Sequence, residues 1–247
     1  MEVQDLPRIA ELAHGRGALV GFDNTWATPL NFKPLVHGAD IVTEGLTKYI
    51  SGHSDVLMGS ITVKDEALIE PVRQMLGRFG IGVSPDDASL VLRGLETLGV
   101  RMRHCAEMAQ RVMPWIAGLP NVSRVLHPAM PGSPGGEFWT RDAQGHSGVF
   151  GVCFHDDANA HVTDALNEFK LFAIGASWGG TRSLVAPMPV RPFRTATRWD
   201  GGDLVLRISI GLEDIDELQA DLQAFFDGLE RRRQDAASGD RHQLQAV

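Results

Sequence analysis

Residues 18–49 read ALVGFDNTWATPLNFKPLVHGADIVTEGLTKY, and this stretch decides the fold. A short apolar run from Ala18 to Phe22 is bounded by Gly17 and by polar Asp23-Asn24-Thr25. That is how a buried parallel strand and the loop at its carboxyl end look in sequence. The rhythm repeats: Phe32 to His37 links, Gly38 punctuates, and Ala39 to Thr43 forms a second strand running into Gly45-Leu46-Thr47-Lys48. Upstream, Ile9, Leu12 and Ala13 share one face of a helix over Leu6 to His14, stopped by Gly15 and Gly17. Helix, strand and polar loop in succession predict an α/β fold.

Working outward, Val56 to Val63 is a third apolar stretch, and Ser84-Pro85-Asp86-Asp87 starts a helix with a stripe through Leu90, Leu92, Leu95 and Leu98. Gly99 is expected to break it, with helix resuming from Met102 to Ile116 and ending at Gly118-Leu119-Pro120. Beyond that stop the character changes. Strands at Val122 to Leu126 and Gly148 to Phe154, helices at His161 to Lys170 and Asp214 to Leu229, and an alternating strand over Asp203 to Ile210 predict a small α+β domain. The expected organisation is a large-domain portion over residues 1–119, a small domain over 120–230, and a polar, frayed tail over 231–247.

Composition narrows the classes. The 247 residues carry 23 Lys+Arg against 31 Asp+Glu, a net charge of −8, so no broad basic face is on offer to nucleic acid. No stretch approaches the ~20 apolar residues of a membrane helix, and Met1-Glu2-Val3-Gln4-Asp5 has no secretory character. Cys105 and Cys153 sit in no zinc-type spacing. A cytoplasmic protein with no nucleic-acid or membrane partner is expected. His155-Asp156-Asp157 with His161 has metal-ligand residue types, but it precedes an apolar-periodic segment and reads as a solvated helix start, so no metal is expected.

Two loops at strand ends carry the chemistry. Lys48 follows an apolar strand and precedes the small polar run Ser51-Gly52-His53-Ser54-Asp55, and Asp23 ends the neighbouring strand in the same way. A lysine amine able to form a Schiff base, with a carboxylate able to keep a pyridine nitrogen protonated, is what a pyridoxal phosphate enzyme requires of its protein. On the final strand, Leu204, Leu206, Ile208 and Ile210 share one face, and Val205, Arg207 and Ser209 the other. The planar fork of Arg207 suits a carboxylate.

The runs FDNTWATP (22–29), GADIVTEGLTKYISGHSDVLMGS (38–60), SWGGTRSL (177–184) and RISIGLEDIDEL (207–218) closely resemble the Cys/Met-metabolism pyridoxal phosphate enzymes. The tryptophans of DNTW and SWGG, with EFWTRDAQGHSGVFGV (137–152), are most similar to the family's bacterial cystathionine β-lyases. The resemblance implies part of the large domain of an aspartate aminotransferase-like fold followed by a small α+β domain. It implies that Lys48 forms the Schiff base, Asp23 pairs with the pyridinium nitrogen, Thr47 helps hold the phosphate, Arg207 binds the substrate α-carboxylate, and Ser177 and Trp178 line the substrate pocket. The implied reaction is β-elimination of cystathionine or a related sulfur amino acid, by a homotetramer. Two alternatives stay open: γ-elimination, γ-replacement or racemisation on the same scaffold, and an inactive truncated or split product. Gly45 stands where many relatives have a phosphate-binding serine. Family members are also expected to carry a long upstream segment with a Gly-rich phosphate loop, a stacking aromatic ring and a Tyr/Arg pair given to a neighbouring subunit. The single tyrosine, Tyr49, belongs to the TKY motif and supplies none of these.

Overall fold

A computed structural model describes the backbone of residues 1–244 and the side chains of residues 1–238. Helix α1 (Leu6–His14) buries Leu6 and Ala10 and ends at glycines, as expected. Strand β1 (Gly21–Asp23) is shorter than the apolar run, because the Val20 amide donates to the Asp40 carboxylate at 2.8 Å before the ladder begins. After the short helix α2 (Thr28–Asn31), β2 (Ile41–Gly45) pairs parallel with β1. Strand β3 (Gly59–Val63) pairs antiparallel with β2, so this three-stranded sheet, order β1-β2-β3, is mixed. The stretch from Val56 to Met58 stays outside β3, since Met58 turns its amide and carbonyl to Thr47.

Helix α3 (Ile69–Arg78) leads to α4 (Pro85–Ala117), which Ser84 caps by accepting the Asp87 amide at 3.0 Å. The expected break at Gly99 does not occur. A mid-helix glycine costs about 1 kcal/mol relative to alanine, and burial of Leu98, Met102, Cys105 and Ala106 on either side outweighs it. The 33-residue helix touches two cores. Its first half packs on Tyr49, Ile50 and Val56, and Ala109, Val112, Met113 and Ile116 pack on the second sheet.

That sheet is built from β4 (Val122–Leu126), then, after α5 (Gly136–Asp142), β5 (Val149–Phe154). Helices α6 (Asp156–Asn159) and α7 (Val162–Ala165) precede β6 (Ala173–Ile174), β7 (Leu184–Pro189) and β8 (Leu204–Ser209). The order is β4-β5-β8-β7-β6, antiparallel except for β6 with β7. The helix expected over His161 to Lys170 is only α7 and one 3-10 turn, because the amides of Lys170, Leu171 and Phe172 turn to the buried Asp221 carboxylate, each at 2.9 Å.

The final helix α8 (Ile215–Leu244) lays Leu218, Leu222, Phe225, Phe226 and Leu229 on the sheet. It corrects the expectation of a frayed tail from Arg231: helix continues to Leu244, and residues 245–247 lie outside the described residues. Ion pairs extend it, Arg231 and Arg232 to Glu168 and Arg233 to both Glu230 and Asp157. Arg231–Arg233 are therefore mid-helix groups rather than a helix end. Among the described residues no helix is long and apolar enough to cross a membrane.

Candidate active site

Lys48 lies in the turn after β2, half-buried, where the two sheets meet. Its Nζ donates to Ser177 Oγ at 2.9 Å and sits 4.4 Å from the centre of the Trp178 indole ring. The Arg207 guanidinium, on β8, lies over the same ring at 5.4 Å. Two cations thus share one aromatic ring, an arrangement whose attraction grows as water is excluded. Burial first, and the positive charge of Arg207 second, hold the Lys48 amine below the ordinary lysine range.

Arg207 is nearly buried, and its terminal nitrogens donate to the carbonyls of Ala176, Gly175 and Ser177 at 2.6–2.8 Å. Its Nε is buried without a partner, as is the indole Nε1 of Trp178. Buried donors are satisfied in the great majority of cases. Both orphans belong to the side chains that surround the Lys48 amine.

Of the residues expected from sequence, the structure brings Lys48, Ser177, Trp178 and Arg207 together. Asp23 ends β1, the strand paired with the β2 that leads into the Lys48 turn, and its Oδ1 accepts the Thr25 amide at 2.9 Å in an Asx-turn. Thr47 is otherwise engaged. Its hydroxyl accepts the Met58 amide at 2.9 Å and donates to the Met58 carbonyl at 3.2 Å, so serving a phosphate oxygen would require that proton to turn away. Where the serine of other relatives would stand, the Gly45 amide donates to Thr25 Oγ1 at 2.7 Å, and an added Cβ would meet the Thr25 methyl at 3.3 Å.

Further residues, several of them inside the DNTW, TKY and SWGG runs, support the site through contacts that the sequence did not show. Gly179 has φ +80°, and a Cβ there would lie 2.8 Å from the Tyr49 amide nitrogen, so a glycine lets the SWGG loop press on the lysine turn. Tyr49 is buried, its hydroxyl bonded to Ser147 Oγ and accepting the Gly148 amide, both at 3.0 Å, and burial pushes that phenol well above its usual range. The Trp26 indole donates to the Val149 carbonyl at 3.2 Å, so the segment 147–149 holds both the Asp23 loop and the Lys48 loop. Below it, fully buried His127 accepts the Ala129 amide at Nδ1 and donates from Nε2 to the Ser147 carbonyl, and burial pulls it down to about 4. Arg101 on α4 reaches the same turn from the opposite side.

The model of the family described as Cys/Met metabolism PLP-dependent enzyme matches residues 1–227. The chain belongs to that family. It is 41% identical over 231 residues to a putative cystathionine beta-lyase of Rhizobium johnstonii, covering 91% of this chain and 57% of that protein. It is 40% identical over 232 residues to cystathionine beta-lyase MetC of Escherichia coli K12, covering 92% and 58%. The crystal structure of metB from Corynebacterium glutamicum superposes with a TM-score of 0.83 at 32% identity, covering 92% of this chain and 59% of that one. Relatives named as γ-lyase and γ-synthase match too. The chain spans a little under three fifths of the length of the curated relatives it matches.

The family depends on pyridoxal phosphate, and the residues present fit that group. A lysine amine of depressed basicity, a carboxylate at a strand end and unpaired buried donors on Trp178 and Arg207 are the donor set that an aldehyde-bearing, pyridine-containing anion and its amino-acid partner require.

Proposed function

We propose that this chain carries the lysine, aspartate and arginine of a pyridoxal phosphate-dependent carbon–sulfur lyase acting on cystathionine or a related sulfur amino acid. The observation that carries the proposal is the Lys48 amine, held at 2.9 Å from Ser177 Oγ and 4.4 Å from the Trp178 ring with Arg207 beyond. Lys48 and Asp23 are the residues that would hold the cofactor, with Thr47 near its phosphate. When bound, pyridoxal phosphate supplies an electron sink for charge developing at the substrate Cα.

The chain's own residues do the rest. Lys48, less basic than a solvated lysine, takes the Cα proton at Nζ. Arg207 receives the α-carboxylate through its guanidinium, which the carbonyls of 175–177 position and so set the direction of the Cα–H bond. Trp178 and Ser177 border the amine on the side where the substrate is proposed to sit. In β-elimination the Cβ–S bond breaks and the sulfur takes up a proton to leave as homocysteine. The three-carbon remainder takes up water to yield pyruvate and ammonia.

Support for the β-reaction comes from the relatives named for it and from Trp26 and Trp178. A second reading, γ-elimination or γ-replacement, is favoured by the γ-lyase and γ-synthase relatives, and the Lys48, Asp23 and Arg207 roles serve it equally. Product identification separates the two: pyruvate with homocysteine for β-elimination, 2-oxobutyrate with cysteine for γ-elimination. The whole enzyme is proposed to be a cytoplasmic homo-oligomer of the tetrameric kind, which sedimentation velocity checks. The primary test is a pyridoxal phosphate titration followed by borohydride reduction and peptide mapping. A saturable visible band with the label on Lys48 is expected, and label scattered over surface lysines would overturn the assignment.

A further inference from the structure

Arg101 is a buried cation without an acidic partner among the described residues. Its side chain leaves the middle of α4, the residue is 6% exposed, and all its bonds are to neutral acceptors. Nη1 donates to the Tyr49 carbonyl at 2.6 Å, Nη2 to the carbonyls of Gly94 at 2.8 Å and Ile50 at 3.3 Å, and Nε to Thr97 Oγ1 at 3.0 Å. Burying a guanidinium among neutral groups carries a desolvation cost that an apolar side chain of like volume would avoid. Stability alone therefore gives a poor account of it.

What the guanidinium does is join two pieces of backbone. One is α4, through Gly94 and Thr97; the other is the turn that starts at Lys48. The two approach so closely that a Cβ on Gly94 would overlap the Ser51 and Ile50 carbonyl oxygens, and one on Gly52 would overlap the Arg101 guanidinium itself. The turn has a second clamp on its far side, where Gly179 lies against the Lys48–Tyr49 peptide. The Tyr49 carbonyl is fixed from α4 and the Tyr49 amide is covered by the SWGG loop, and from this clamped turn the Lys48 side chain runs to Ser177 and Trp178.

We infer that Arg101 is a positioning residue for Lys48: its fork pins the lysine turn to α4 and thereby aims the Lys48 amine into the pocket. The inference rests on the proposal that Lys48 is the working amine, yet it can be tested without that proposal. A planar fork serving three carbonyls is the requirement, and a lysine in its place keeps the charge but loses the fork. Arg101→Lys frees the turn, the Lys48 amine spends more time in solvent, and its titration moves up toward that of an ordinary lysine.

The measurement is competitive acetylation of the unliganded 247-residue chain across a pH series, with the Lys48 peptide quantified by mass spectrometry. In Arg101→Lys the Lys48 midpoint is expected to rise by about half a pH unit or more, a roughly threefold change in free amine at a fixed pH below it. Arg207 is the charged group facing Lys48. Tyr49 and Cys105 face Arg101 and stay protonated in that range, the phenol held up by burial and the thiol pushed up to about 12. Thr97→Val, which removes the hydroxyl that accepts from Nε and donates to the Gly94 carbonyl, is expected to move the midpoint the same way by less, and covers the case in which Arg101→Lys does not fold.

A midpoint unchanged in the folded variants, with only the melting temperature lowered, would overturn the positioning role and leave Arg101 a structural group. Borohydride labelling separates this from the functional proposal. A shifted Lys48 midpoint in protein whose Lys48 takes no pyridoxal label supports the positioning role and overturns the cofactor assignment instead.

Discussion

The two sheets of this molecule stand in opposite conditions. In the five-stranded sheet every residue of β5 is buried, and the cluster behind it runs through α4, α7 and α8 with Phe150, Leu206, Ile208 and Phe225 at 0% exposure. In the three-stranded sheet β1 and β3 are largely open. A cleft between that sheet and α3 is lined by Ile61, Ile81 and Val83, which are 40–59% exposed. The contrast teaches where the chain's own interactions suffice. The sealed sheet fixes Arg207, Ser177 and Trp178; the open one supplies Asp23 and Lys48, and is tied to the first by a few polar contacts and by α4.

The sharpest way to break this picture is at the junction. Lys48→Ala is expected to abolish lyase turnover in enzyme assembled with a complete cofactor site, a loss of roughly 10³-fold or more; turnover within tenfold of wild type would show that the amine between the sheets is not the base. Next comes the sealed side. Phe150→Ala should cost about 3–5 kcal/mol in urea unfolding, whereas Ile61→Ala on the open sheet should cost less than about 1 kcal/mol. Equal losses would mean that the two sheets are not distinct in packing.

The third prediction concerns pH. His127 is held neutral with a folded value of about 4, against about 6.5 when unfolded. Between those values the unfolded chain binds the extra proton, so stability falls as pH drops from about 6.5 to 4, by about 3 kcal/mol in all, and is restored above 6.5. His127→Gln should flatten that part of the profile, as followed by denaturation at stepped pH. The smallest effect is expected at the surface. Glu230 is held down to about 2 chiefly by its hydrogen bond to Arg233, yet both groups are partly exposed. Glu230→Gln should shift stability by under about 1 kcal/mol, with the difference shrinking at high salt.

Much of this was legible beforehand, and what escaped did so for identifiable reasons. Strand–loop alternation announced β1, β2 and the position of Lys48, and period-two spacing announced β8. Both faces of β8 prove buried: Leu206 and Ile208 join the main core, while Met1, Val190 and Trp199 pack over Val205 and the 175–178 segment covers Arg207. Helix α4 was read as two because a glycine is a local signal, whereas the burial that carries the helix across Gly99 comes from the Tyr49 turn and from Val149. Strands β6 and β7 were missed because Ala173-Ile174 is too short to show a period and Pro187 and Pro189 interrupt the other. At the candidate site, residue types pointed to Lys48, Asp23 and Arg207, since the proposed chemistry needs particular side chains. Arg101 and Gly179 act on main-chain atoms, and a carbonyl leaves no mark on residue identity.

Helix α4 has a mechanical consequence. From Arg101 to Ile116, where it seats on the sealed sheet, it extends 15 residues, about 22 Å at the α-helical rise. As a stiff lever pivoting at Ile116, it would carry Arg101 nearly 1 Å sideways for a tilt of about two and a half degrees, a displacement on the scale that can cost a catalytic group a hundredfold in rate. A methyl group gained or lost beneath Met113 could therefore be felt at the Lys48 amine, with no residue of the pocket altered.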